Sequence, residues 1–491
     1  MSIILVSVVI LFLTFVILYW LKSNETEQLP LPPGPSRWEC LKLFKYLLRS
    51  EDAKMHVVMD DLYKQYGEIV TFKLPGTCMV FLNSAQTIRK LFTSVAYRDV
   101  TADRPPSFFK TNLSQKGSDI ILRDYDAVQM KLRKMVHTTV KLYGEGIQVF
   151  EEMVGSEIRL LEKSMTADGD DTTVKSFDID AALTTSLIRI IYIFLINETP
   201  EDTEKVVEAV DRFDKALIKM FQIEVNLMFT LFPWLRFIPG PIKTSYDYFI
   251  SSLYAMRSIF LNPEMIKTQE HDKDMTEETV QGILGNIITA GFVTTKGTLS
   301  GFFLLMLYHP DVQKRIQDEI DDKIGDMEIT IHDRQHMHYT NAAILETLRF
   351  IRHVPYGVPH CNRMDVDIDG YRIPANSTIF TNYWSMAYSE KHWENPEQFN
   401  PDRFLDEHGK ILPLDHPTRQ QFIPFGVGRR SCLGESFSKS RIFLYVTSLL
   451  QKFTFTKGDD PLPSMYSETW GNESTLLPGS FKCTVTKRLS P

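Results

Sequence analysis

Cysteine is scarce in this 491-residue chain, and the five that occur form no pattern. Cys40, Cys78, Cys361, Cys432 and Cys483 are odd in number, widely spaced and without a CxxC pair. That excludes a disulfide framework and a zinc ribbon, and it suits a reducing compartment. Excess positive charge is also missing: the formal net charge is −8, which gives no reason to expect nucleic acid as a partner. There is no low-complexity tract, no internal repeat and no second linker beyond one near the start. One large body is therefore expected rather than a string of modules.

What is present begins at the front. Residues 2–21 read "SIILVSVVILFLTFVILYWL", twenty residues without a charge, long enough to cross a hydrocarbon core of about 30 Å as a helix. A cleaved signal peptide would have a shorter apolar run ending at small residues. Tyr19 and Trp20 suit the membrane interface, and Lys22 follows the span with no basic residue before it, which puts the body on the cytosolic side. There the Asn-x-Ser/Thr sequons at Asn197 and Asn376 carry no sugar. "LPLPPGP" follows within residues 22–36; prolines at this density form a stiff spacer. Residues 37–491 are expected to be the globular domain.

Helical periodicity dominates that domain, over roughly residues 50–66, 126–166, 178–195, 201–230, 242–269, 275–308, 310–323 and 340–351. Short β-like runs occur at "EIVTFKLPGTCMVFL" and "GYRIPANSTIFTNYW". The expected fold class is mainly α with a small β region, crossed by one helix of about 50 Å at 1.5 Å per residue.

"FIPFGVGRRSCLGESF" raises the question of why a rare cysteine stands among glycines and arginines. A helix beginning just after Cys432 would favour thiolate through its dipole and free N–H groups. Gly426, Gly428 and Gly434 permit tight turns and leave room for a flat body. Arg430 is placed to meet an anionic group at the edge of that body, and Phe425 to shield the sulfur. A lone thiolate with space above it describes an axial haem ligand; a buried structural thiol in a Gly-rich turn is the alternative.

Phe425, Gly428, Arg430, Cys432 and Gly434 fill every fixed position of FxxGxRxCxG, and in this the chain resembles the cytochrome P450 family, from its anchor to its C-terminus. The resemblance is to the animal microsomal groups that include xenobiotic-metabolising and steroid 17-hydroxylating enzymes. It implies haem b, with Cys432 as iron ligand. In "ETLR" and "FNPDRF" it implies a structural cluster of Glu346, Arg349 and Arg403. In "AGFVTT" it implies a proton-handling threonine at Thr294, next to Thr295, but Val293 stands where the family has an acid. Either ordered water replaces that relay or oxygen activation is poorly coupled. Arg133 matches a haem-propionate ligand, with Gln129 in place of the usual Trp. His360 is either a propionate donor or a satisfied structural histidine, and Arg104 is a further propionate candidate. Phe292, Val293, Tyr356 and Val358 are expected pocket residues by motif position alone. "LFPWLRFIPGP" is either a membrane-dipping surface or buried core.

The resemblance further implies an endoplasmic-reticulum monooxygenase, single-pass with a cytosolic catalytic domain. It would take electrons from NADPH through a flavoprotein reductase and place one oxygen atom of O2 in a lipophilic steroid, lipid or xenobiotic. Lys131, Arg133, Lys134, Arg429, Lys439 and Arg441 are expected to form the basic face that receives the reductase. Two rivals stay open: a peroxide isomerase or dehydratase that needs no reductase, and a non-enzymatic haem-binding sensor.

Overall fold

The computed structural model describes residues 29–488 apart from 50–52, 113–117, 141–144, 167–172, 261–273 and 471–473. The expected anchor at 2–21 and residues 22–28 of the linker lie outside the described residues. Two body helices, Ile179–Ile196 and Glu277–Tyr308, are long and apolar enough to cross a membrane, but much of each is packed inside the globule.

Helices start where side chains can cap them. Asp178 accepts from the Ala181 N–H, Asp202 from that of Lys205 and Thr276 from that of Thr279, each satisfying an orphan donor of a first turn. Pro310 opens Pro310–Lys323, where its missing N–H costs nothing. The expected 126–166 stretch divides into Ala127–Val140 and Glu145–Ser164, and 201–230 into Thr203–Met220 and Ile223–Leu231.

The helix Glu277–Tyr308, here called the long helix, has 32 residues and so runs about 48 Å. Leu299, Phe302, Phe303, Leu304, Leu305 and Met306 on it are almost fully buried. Around them pack the helices Ile179–Ile196, Pro310–Lys323, His338–Ile351 and Glu435–Lys452. Because this helix is apolar on nearly all sides, it belongs at the centre of the body.

The β region flanks this core. Strands β1 (Ile69–Leu74), β2 (Thr77–Leu82), β4 (His360–Cys361) and β7 (Thr378–Thr381) form a sheet in the order β1-β2-β7-β4. A second sheet, β3-β9-β8, joins β3 (Thr173–Asp178) to β9 (Lys482–Lys487) and β8 (Phe453–Lys457), and β5 (Val366–Ile368) pairs with β6 (Tyr371–Ile373). The first sheet delivers His360 and the segment before it to one side of the central cavity.

Candidate active site

The long helix and the loop before Glu435–Lys452 face each other across a cavity of about 400 Å³, within the usual range for small-molecule sites. Cys432 is exposed although it lies inside the body, because the surface it shows is cavity wall. Its N–H donates to the Phe425 carbonyl at 2.7 Å, which folds the loop into a tight turn. Gly426 and Gly428 have φ of 70° and 78°, a region that favours glycine. A Cβ on Gly428 would lie 2.2 Å from the Phe92 carbonyl oxygen, whereas one on Gly434 would meet nothing within 4 Å. Gly428 thus lets the loop approach the helix Ala85–Thr93 without lining the cavity itself, while Gly434 keeps the wall beside Cys432 clear.

Burial pushes the Cys432 thiol up, against the opposing pull of the Gly434 N–H, Arg133 and Lys439. The expected shift toward thiolate from the helix terminus is outweighed; a metal bound at the sulfur would favour the thiolate.

One wall is strongly cationic. Arg104 donates through Nε to the Ile121 carbonyl (2.8 Å) and through Nη1 to those of Val358 and Pro359 (2.9 and 2.8 Å). Arg430 donates to the carbonyls of Ala102 (2.7 Å), Ile120 (3.2 Å) and Arg123, and Arg133 to that of Ser431. Burial, followed by the neighbouring guanidiniums, lowers Arg430 to about 10 and pulls Arg104 well below its usual value. His360 stacks on Phe92 at 4.0 Å, with Nδ1 2.9 Å from the Thr101 carbonyl. Burial and the Arg104 charge hold it neutral, so Nδ1–H is the donor. Gln129, one turn before Arg133, is fully buried and its amide oxygen and nitrogen have no partner among the described residues, yet it does not line the cavity.

The opposite wall is the long helix. Asn286, Ile287, Ala290, Gly291, Thr294, Thr295 and Thr298 face the cavity, the spacing of one helical face. That phase corrects two pocket expectations. Phe292 and Val293 point the other way: Phe292 is fully buried under the Lys296 ammonium, 5.8 Å from its ring centroid, and Val293 is 5% exposed. Tyr356 is also corrected, since it packs with Phe81 and Phe380 beneath the first sheet. Val358 does line the cavity, together with His353, Val354 and Arg441, which sequence reasoning did not place there. Val293→Glu is therefore expected to bury a carboxylate outside the cavity and lower stability by about 3 kcal/mol, read as the melting temperature of the holoprotein. Unchanged stability with more product per NADPH would return that side chain to the cavity.

Of the expected basic face, one residue is corrected. Arg441 is 1% exposed. Lys131 pairs with Asp274 (2.8 Å), Arg429 with Asp99 (2.8 Å) and Lys439 with Glu435. Lys131, Lys134 and Arg429 are exposed, and Lys134 has no ion pair among the described residues.

Behind the cavity, Glu346 and Arg349 form a fully buried pair joined by two 2.7 Å bonds. Arg349 also donates to the carbonyls of Ala387 (2.7 Å) and Pro396 (2.9 Å). Arg403 reaches Glu346 at 3.3 Å, and the Asn400 N–H donates to the same carboxylate at 2.9 Å.

An apolar slot with a thiol in one face and crowded guanidiniums at one edge fits a flat macrocycle that carries carboxylates. The cytochrome P450 family model matches residues 32–484. The chain belongs to the cytochrome P450 family. Cytochrome P450s are haem-thiolate monooxygenases, so the cofactor is haem b and the activity that of an oxidoreductase. Among relatives, the chain is 28% identical over 439 residues to a steroid 17-alpha-hydroxylase/17,20 lyase of Rana dybowskii, covering 84% of this chain and 82% of the relative. It is 27% identical over 500 residues to cytochrome P450 2U1 of Bos taurus (93% and 89%), and 29% over 459 residues to cytochrome P450 2D3 of Rattus norvegicus (89% and 89%).

Proposed function

We propose that this P450 is a membrane-anchored monooxygenase of the endoplasmic reticulum, with a cytosolic catalytic domain. It takes electrons from NADPH through a flavoprotein reductase and places one oxygen atom of O2 in a lipophilic steroid, lipid or xenobiotic. The carrying observation is the accessible Cys432 thiol across an apolar cavity from the Thr294–Thr295 turn. Haem held by Cys432 would supply oxygen activation. The residues placed to hold it are Cys432 at the metal and Arg104, Arg133, Arg430 and His360 at the carboxylates. Ile120, Ile121, Phe194, Ile287, Val354 and Val358 give the cavity apolar walls, which exclude water and favour a hydrophobic guest.

Membrane contact is supported by residues 231–238. Leu231, Phe232, Trp234, Phe237 and Ile238 are all exposed, Phe237 at 67%, and the turn Pro233–Phe237 has no buried residue. Such a cluster suits a lipid interface and is not buried core.

With purified reductase, product should appear only when NADPH and O2 are both supplied, and one labelled oxygen atom should enter it. Rapid rearrangement of a lipid peroxide without NADPH, and no NADPH-supported product, would favour the isomerase reading instead.

A further inference from the structure

Arg441 was expected at the surface, yet it is 1% exposed and lies in the cavity wall. It has no carboxylate partner among the described residues, and its Nε and Nη1 atoms are buried without any partner. Its Nη2 donates to two neutral oxygens on a single turn of the long helix, the Gly291 carbonyl and Thr295 Oγ1. A buried guanidinium is costly, and here its charge is directed onto that turn.

The consequence shows in the threonines. Within a helix a threonine hydroxyl ordinarily donates back to the carbonyl four residues earlier. Thr294 does so to Ala290 at 2.7 Å, and Thr298 to Thr294 at 2.9 Å. Thr295 has no such bond. Its oxygen accepts from Arg441, and its own proton has no acceptor among the described residues. An oxygen that accepts from a cation holds a more polarised O–H, which is the better donor.

We infer that Arg441 is a positioning residue that pins the 291–295 turn and leaves Thr295, rather than Thr294, with the free hydroxyl proton on the cavity wall. It links the helix that follows Cys432 to the helix opposite, and it provides a fixed charge at a turn whose Val293 faces away. The inference rests on the haem-thiolate reading above.

The test uses the reduced holoprotein with carbon monoxide as probe, its infrared stretch reporting hydrogen-bond donors in the cavity. Thr295→Val should shift the stretch, and Arg441→Met should shift it in the same sense. The double variant should move no further than the larger single change, because the two residues act as one unit. Arg441→Lys should recover part of the shift, and Thr294→Val should leave the stretch nearly unmoved, because the Thr294 proton is already given to the Ala290 carbonyl. Product per NADPH should fall about 10- to 100-fold in Thr295→Val. If Arg441→Met does not fold, the Thr295→Val and Thr294→Val comparison carries the test alone. A silent Thr295→Val, or strictly additive shifts for residues 295 and 441, would overturn the inference. A wild-type protein that forms no thiolate-type carbon monoxide complex would instead overturn the haem-thiolate reading.

Discussion

Cys432→Ser is expected to abolish the thiolate-type Soret band of the reduced carbon monoxide complex and to lower reductase-supported product formation by about 100-fold or more. The geometry explains the size of the effect. Cys432 is the one cysteine that lines the cavity; Cys40, Cys361 and Cys483 are buried elsewhere, and Cys78 is half-buried in β2. A serine hydroxyl at the same place is a far weaker electron donor than a thiolate, so the electronic push that favours O–O cleavage is lost. The fold should survive, because the loop is held by the Cys432 N–H to the Phe425 carbonyl and by Gly428 against Phe92, neither of which needs sulfur. The visible spectrum and a far-ultraviolet circular dichroism spectrum of one sample check both statements.

Glu346→Ala should yield little protein that retains haem. Removing this carboxylate leaves Arg349, fully buried, and Arg403, largely buried, without their shared anion. Breaking a buried pair in this way costs about 3–5 kcal/mol, a large part of the roughly 5–15 kcal/mol that holds a domain folded. The loss is also local, since Asn400 donates to Glu346 and Arg349 binds the carbonyls of Ala387 and Pro396, so the segment leading toward Cys432 loses its anchor. Arg349→Lys keeps the charge but not the planar fork that serves two carboxylate oxygens and two carbonyls at once. It should fall between wild type and Glu346→Ala in melting temperature and haem content. Equal stability of all three proteins would contradict this account.

What could be read from the sequence was whatever is local along the chain. The cysteine loop is contiguous, and Glu346 and Arg349 are one helical turn apart, so spacing alone brings their groups together. The long helix was visible for the same reason. The sheet of β3, β9 and β8 was not, because Thr173 meets Thr486 across 313 positions and no residue of β3 is buried enough to show an alternating pattern. Phe292 and Val293 were misplaced because adjacency to a motif was followed instead of helical phase, and Tyr356 because it lies in the loop after His338–Ile351, where spacing carries no phase. Counting by threes and fours from Ile287 selects 290, 291, 294, 295 and 298, and leaves Phe292 and Val293 on the far side. Arg441 was misread because a charge in a helix usually marks the solvated face. Nothing local reveals that this one crosses to Thr295, 146 positions away.

Iron-edge X-ray absorption on the purified holoprotein tests the central claim most directly. The wild type should show a sulfur scatterer in the first coordination shell, and Cys432→Ser should lose it. Sulfur that persists in the variant, or a wild-type shell made of nitrogen and oxygen alone, would contradict the assignment of Cys432 as the haem ligand.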